Sequence, residues 1–482
     1  MNYGIIRYII GKVIAIEGLF MAIPMIAALI YNEWDGLRVY AVCTLLLTAL
    51  GTFISSREPE KKTFYAREGY VLAAMAWIVL SILGAVPFIA TGEISSGVDA
   101  VFEITSGFTT TGASILSDPS KLMKCNLLWR SFSHWLGGMG VLVFLLAMVP
   151  VGGGESLYIM RAESTGPSVG KIVPRIKQTS KILYGIYTGL TIILFILLLI
   201  GRMPVFDAVC IAVGTAGTGG FGVLADSMAG YGVYNQIVVT VFMLLFGLNF
   251  SFYYLMLMRK VKDAFRMEEI RGYAAVYLLI TLLITFNMWF ERGGSFLGQF
   301  QQVAFQTSSV MTTTGFATQD FNLWPEFSKV LMGLLMVIGG CTGSTAGGIK
   351  VSRILIYMKG IGKEIAAQIH PKRVKVICSD KKRIPDETLR SVYIYLAVYV
   401  LIMAVSVIIV SIDGYDWETT FSSVLATLNN IGPGFGRVGP ACNFAFFSPL
   451  SKIVLIIDMI AGRLELIPLF IFMMPDTWRR NR

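Results

Sequence analysis

Ten stretches of this 482-residue chain are each apolar over about 20 residues, the length a helix needs to cross the hydrocarbon core of a bilayer. They run 4–31, 37–55, 69–91, 127–150, 182–200, 234–258, 272–290, 328–358, 389–412 and 450–474, the eighth interrupted by glycines. Backbone polar groups inside lipid must bond within their own segment or in a closed barrel, and segments of this length are helices. A chain that is 55% hydrophobic and 15% charged leaves little with which to cover a soluble core of this size. The expectation is an all-α integral membrane protein of ten spans. The first stretch is longer than a signal-peptide core and has no small-residue cleavage site, so it reads as a retained span.

The net charge of +10 does not indicate nucleic acid. The regions 1–12, 56–67, 151–181, 259–271, 350–390 and 475–482 alternate with apolar pairs and hold 30 of the 40 Lys and Arg. Positive-inside places these regions, and both termini, in the cytoplasm. The six cysteines are scattered and only His134 and His370 occur, so neither a metal centre nor a disulfide framework is indicated. His134 reads as a structural residue near a helix start and His370 as a loop residue.

Between the members of the last four pairs lies a shorter half-apolar stretch, too short to span, followed at once by a run rich in Gly, Thr or Asn. The four are DAVFEITSGFTTTGAS (99–114), DAVCIAVGTAGTGGFG (207–222), QVAFQTSSVMTTTGFA (302–317) and TTFSSVLATLNNIGPG (419–434). In each, thirteen residues separate the first position from one glycine: Gly112, Gly220, Gly315 and Gly432. This register selects Gly220 over Gly219. A unit of helix, re-entrant pore loop and helix repeated four times explains the spacing. The expected fold is therefore four pseudo-repeats around one central pore, with two extra N-terminal helices. The divisions are 1–67, 68–181, 182–271, 272–388 and 389–482. All four loops fall on the outer half of the membrane.

A cation crossing a membrane must exchange its water for other oxygens, and backbone carbonyls supply these without adding fixed charge. Glycine allows the torsions that turn carbonyls to an axis and lets four chains approach. Thr109, Thr110, Thr111, Thr312, Thr313, Thr314, Asn429 and Asn430 can pin such loops. The helix C-terminal ends favour a cation, and the aligned stretches contain no Lys or Arg. The candidate filter is Thr110, Thr111, Gly112, Thr218, Gly219, Gly220, Thr313, Thr314, Gly315, Asn430, Ile431 and Gly432. One glycine-rich run would fit helix packing; four in register after non-spanning helices would not. Asp99, Glu103, Asp207, Asp413, Asp416 and Glu418 lie near the short-helix starts, where they cap helices or concentrate cations at the mouth.

The interruption in the eighth stretch is Gly339, Gly340, Cys341, Thr342, Gly343, Ser344, Thr345, Ala346, Gly347 and Gly348, shortly before Lys350. Such a run unwinds in mid-membrane and is a candidate gate, or else a packing kink. It is not a phosphate-binding loop, since Ile349 stands where lysine is required. Arg463 sits inside the last span. It pairs with Glu465 or loop carbonyls, or presents a charge to the pore. Lys12 and Glu17 in the first span snorkel or pair between helices.

These motifs resemble the Trk/Ktr/HKT superfamily of potassium transporters, over nearly the whole chain. The carriers of the resemblance are Thr109 to Gly112, Thr312 to Phe316, Asn429 to Gly434, the 339–350 segment, His134 to Gly140 and Gly462 to Glu465. The two extra helices resemble the Trk membrane-spanning subunit. The resemblance implies potassium uptake across the cell (inner) membrane, with K+ as transported ion held at Thr111, Gly112, Gly220, Thr314, Gly315, Ile431 and Gly432. Glycine at position 112 favours potassium over sodium. It also implies a homodimer with one pore per subunit, a gate in the broken helix, and Arg463 near the pore. A cytoplasmic nucleotide-binding (NAD/ATP) regulatory subunit of TrkA type would dock on basic loops such as 350–390. No organic cofactor, nucleic acid partner or enzyme activity is implied. The competing readings are a coupled secondary carrier, a sodium-permeable relative and a membrane-embedded enzyme. Four repeats of one orientation argue against inverted carrier halves, and the spans carry no catalytic constellation.

Overall fold

The computed structural model describes residues 1–59, 65–140, 176–371, 376–380 and 382–478. The second half of the expected span 127–150 and the basic loop after it, to residue 175, lie outside the described residues.

The chain is nearly all helix. Three helices open it: α1 (Tyr3–Phe20), α2 (Ala22–Ile30) and α3 (Trp34–Ile54). The same sequence of parts then recurs four times. The first unit is α4 (Ala66–Gly84) with its continuation α5 (Val86–Ala90), short α6 (Gly97–Phe108) and α7 (Lys124–Gly138). The second is α8 (Ile176–Ile200), short α9 (Val205–Gly217), α10 (Val233–Phe246), α11 (Phe250–Leu257) and the small α12 (Val261–Arg266). The third is α13 (Glu268–Arg292), short α14 (Phe296–Met311), α15 (Glu326–Ile338) and α16 (Val351–Ile369). The fourth is α17 (Asp386–Val410), short α18 (Trp417–Leu428), α19 (Pro449–Arg463), α20 (Ile467–Met473) and α21 (Pro475–Trp478). The exposed two-residue strands β1 (Cys378–Ser379) and β2 (Lys382–Arg383) pair antiparallel.

Among the described residues, six helices are long and apolar enough to cross a membrane, and the α10–α11 pair makes a seventh if its bend is spanned. Their outward faces carry exposed Leu, Ile, Val and Phe, for example Leu45, Ile200, Leu279 and Ile408. Such faces suit lipid and not water. The short helices are buried instead: every residue of α6 from Phe102 to Phe108 is in the interior.

Breaks are more widespread than the sequence suggested. The stretch 234–258 bends by 90° between α10 and α11. There the Asn249 side chain accepts from the Ser251 N–H and starts a new helix. The stretch 450–474 breaks after Arg463, where Glu465 and Leu466 take φ of 59° and 69° and Pro468 opens α20. The expected break in 328–358 occupies residues 339–350, between α15 and α16.

Candidate functional site

The four short helices end alike. The N–H of the residue before each register glycine reaches the carbonyl five residues back. These bonds are Thr111 to Ser106 at 2.9 Å, Gly219 to Gly214 at 2.9 Å, Thr314 to Ser309 at 2.8 Å and Ile431 to Ala426 at 2.8 Å. The residue before each of those donors is left-handed: Thr110, Thr218, Thr313 and Asn430 have φ of 56°, 54°, 54° and 54°. Together these make a Schellman helix stop.

Left-handed backbone costs an ordinary L-residue roughly 1–2 kcal/mol, so glycine would be the cheaper choice unless these side chains are used. Three of them reach outside their own loop. Thr110 Oγ1 accepts from Arg463 at 3.4 Å, and Thr313 Oγ1 accepts from the Gly347 N–H at 2.6 Å. Asn430 Nδ2 donates to Thr111 Oγ1 at 3.0 Å and to the Met459 carbonyl at 2.9 Å. Thr218 stays local, bonding the Gly217 carbonyl at 2.6 Å.

The register glycines follow with φ of 81° (Gly112), 73° (Gly220), 87° (Gly315) and 95° (Gly432); Gly219 is not in that region. Space forbids a side chain as firmly as torsion does. A β-carbon on Gly112 would lie 2.2 Å from the Gly219 carbonyl oxygen, and one on Gly220 would lie 1.9 Å from that of Thr314. One on Gly315 would lie 2.3 Å from the Ile431 oxygen, and one on Gly432 would lie 2.7 Å from that of Thr111. The contacts run from loop 1 to 2, 2 to 3, 3 to 4 and 4 back to 1. The loops therefore close a ring in chain order. On one side of the ring is a cavity of about 100 Å³ lined by the four glycines, Arg130 and exposed Cys442.

The 339–350 segment packs against this ring as a glycine hairpin. Its ends meet through Ile349 N–H to Val337 at 3.2 Å, Lys350 N–H to Ile338 at 2.9 Å and Val351 N–H to Gly340 at 3.0 Å. It bonds directly to the second, third and fourth repeats. Cys341 N–H donates to the Gly247 carbonyl at 3.0 Å and Gly348 N–H to that of Asn429 at 3.1 Å. Gly347 bonds Thr313 as above, and Thr342 N–H donates to Glu269 at 2.6 Å. The buried Lys350 ammonium donates to the Ala346 carbonyl inside the hairpin. Arg463 ties the segment to the first repeat. It donates to the carbonyls of Gly137 (2.5 Å), Gly138 (2.6 Å) and Thr345 (2.9 Å). Glu465 is not its partner: that carboxylate pairs with Arg353, because α20 turns away after residue 464.

A family described as TrkH, cation transport protein, matches residues 41–479. The chain belongs to that family. It is 35% identical to the Trk system potassium uptake protein TrkH of Escherichia coli, covering 99% of this chain and 100% of the relative. It is 32% identical to TrkG of the same organism, over 98% of both chains. The crystal structure of the potassium transporter TrkH from Vibrio parahaemolyticus superposes with a TM-score of 0.89 at 31% identity, covering 99% and 100% of the two chains. With its apolar helices, this is a multi-pass membrane protein of a transport family.

The acidic residues expected at the mouth divide. Asp416 caps α18, accepting from the Thr419 N–H at 2.9 Å, and that bond holds its carboxyl below the usual range. Asp99 pairs with Lys452 at 2.6 Å, Asp207 accepts from Tyr231 at 3.0 Å, and Asp413 accepts from the Ser448 N–H at 2.9 Å. Glu418 lies 3.9 Å from Lys329. Glu103 is not at the mouth. Its position four residues into the register is the middle of α6, so it is buried, and it pairs with Arg130 at 2.5 Å. In α1, Glu17 is buried and, among the described residues, neither oxygen has a hydrogen-bond partner, and Lys12 lies over Tyr8. Two residues against the loops had escaped the sequence reading, Arg130 and the true setting of His134. His134 is well inside α7 and bonds the Gly107 carbonyl at 2.7 Å and the Phe221 N–H at 3.3 Å. Their partners in loop 2 are about 90 residues away, beyond any local motif.

Proposed function

We propose that this chain takes up potassium through a pore whose filter is the four-loop ring. The closed cyclic contact of glycine against carbonyl carries the reading. It brings backbone carbonyls of four loops to one place, as exchange of a cation's water requires. Potassium is the cargo, held at Thr111, Gly112, Gly220, Thr314, Gly315, Ile431 and Gly432. The names of the relatives, potassium uptake proteins, agree with this choice of ion.

The 339–350 hairpin is the gate, with Arg463 as its latch. A segment bonded to three repeats, and to the first through Arg463, can stay shut at rest and open when those bonds are exchanged. The charge of the basic loops supports a cytoplasmic position for both termini. A cytoplasmic nucleotide-binding regulatory subunit acts through these loops, and two copies of the chain assemble as a homodimer.

The test is uptake of radioactive rubidium into potassium-loaded liposomes holding the purified protein and Gly112→Ser. External potassium should compete and sodium should not, and in the variant, whose β-carbon would press on the Gly219 carbonyl, total uptake should fall and the uptake that remains should lose this preference. Equal competition by both ions in the wild type would contradict the potassium filter.

A further inference from the structure

The backbone leaving each loop must be held if the ring is to keep its shape, and three loops hold it from their own short helix. In loop 1, Glu103 of α6 accepts from Ser114 Oγ at 3.0 Å and from the Ile115 N–H at 2.9 Å. In loop 3, Gln306 of α14 donates to the Gln319 carbonyl at 2.6 Å. In loop 4, Ser422 of α18 donates to the Phe435 carbonyl at 3.1 Å and accepts from its N–H at 2.9 Å. Glu103 and Gln306 share one register position. In α9 that position is Ile211, which has no polar atom to offer.

Loop 2 is held instead by the preceding repeat. Arg130 of α7 donates through Nη1 to the Gly222 carbonyl at 3.0 Å, and its guanidinium carbon lies 3.6 Å from the centre of the Phe221 ring. Glu103 holds the other edge of that guanidinium. One turn on, His134 Nδ1 faces the Gly107 carbonyl and Nε2 faces the Phe221 N–H. A carbonyl accepts and an amide donates, so the ring is the neutral Nδ1–H tautomer with both nitrogens used. Its ring centre is 4.2 Å from that of Phe221, and a β-carbon on Gly219 would lie 2.1 Å from Nδ1. Both side chains are buried, at 2% and 0% exposure.

We propose that Arg130 and His134 are positioning residues that set the backbone of the second loop and, through the ring, how well the pore distinguishes monovalent cations. Neither is assigned to touch the ion. The proposal rests on the reading of the ring as a filter. A buried charge that gives two hydrogen bonds and a ring contact to its surroundings is costly to disturb. Such a cost is borne where position matters.

The test measures sodium against potassium competition for rubidium uptake by the full chain in liposomes, with monodisperse assembly checked by gel filtration. Arg130→Lys keeps the charge beside Glu103 but cannot reach in a planar fork. Losing a bond to a charged group should relax discrimination by about tenfold. His134→Leu should relax it as well, whereas His134→Gln, which can donate and accept, should restore it. Phe221→Leu stands in for any variant that fails to assemble, and should relax it through loss of the shared ring. Wild-type discrimination in the assembled Arg130→Lys, His134→Leu and Phe221→Leu proteins, with Gly112→Ser relaxed, would overturn this proposal and leave the filter reading standing. No discrimination in the wild type would remove both.

Discussion

Two glycine-rich regions meet in this molecule and differ in what presses on their glycines. In the ring, each glycine is pressed on by the carbonyl of a different repeat, and the same torsions recur four times. In the 339–350 hairpin, Gly339, Gly340 and Gly348 most closely meet other parts of the hairpin itself, Gly347 is pressed on by a carbonyl of another repeat, that of Asn429 at 2.3 Å from its β-carbon position, and the remaining ties to the repeats are hydrogen bonds. The ring is fixed by steric exclusion, which has no alternative arrangement nearby. Outside Gly347, the hairpin is fixed by bonds that can be exchanged for others. On the proposed reading of ring as filter and hairpin as gate, a part that must not move and a part that must move use the same residue type, and what surrounds the glycines decides which they are.

The sharpest way to break this contrast is to add one methyl group to the ring. Gly220→Ala places a β-carbon on the Thr314 carbonyl, and overpacking of this kind should lower rubidium uptake by about a hundredfold. A fall of less than severalfold in an assembled protein would show that the ring yields. In the hairpin the largest effect should have the opposite sign. Arg463→Gln removes bonds to the carbonyls of Gly137, Gly138 and Thr345. Uptake without any partner subunit should rise by about tenfold, as a charged hydrogen bond's contribution implies. Unchanged or reduced uptake would mean that Arg463 does not latch the hairpin.

The mouth of the ring offers a milder test. A positively charged thiol reagent added outside should attach to Cys442 and cut uptake by roughly half or more by repelling cations. Cys442→Ser should be resistant. The smallest effect belongs to the scaffold. Asp416→Ala removes the cap of α18 and should lower stability by roughly 1 kcal/mol. The Thr419 N–H depresses the Asp416 pKa, so its contribution is present above the ordinary carboxylate range and is lost as pH falls through the lowered value. The melting temperatures of wild type and variant should therefore converge on acidification. A difference independent of pH would exclude the charged cap.

Much of this site is legible in the sequence because glycine answers to a backbone demand that no other residue meets cheaply. The thirteen-residue spacing picks out the positions that take positive φ, including Gly220 rather than Gly219. Threonine and asparagine at the left-handed positions read only as pinning groups, since their partners Arg463, Gly347 and Met459 are brought in by tertiary packing. Glu103 reads as a surface acid because hydropathy does not show that Arg130 waits beside it. The turns at 247–249 and 464–466 are signalled only by a few residues, Gly247 and Asn249 in one and Arg463, Glu465 and Pro468 in the other, inside long and mostly apolar runs. The length of those runs hides the breaks.

The most direct test of the ring as a filter is anomalous diffraction from crystals grown with rubidium or thallium in place of potassium. The account predicts ion density enclosed by the carbonyls of Thr111, Gly219, Thr314 and Ile431, lost or weakened in Gly220→Ala. Ions bound elsewhere in the membrane region, with none between these four loops, would contradict it.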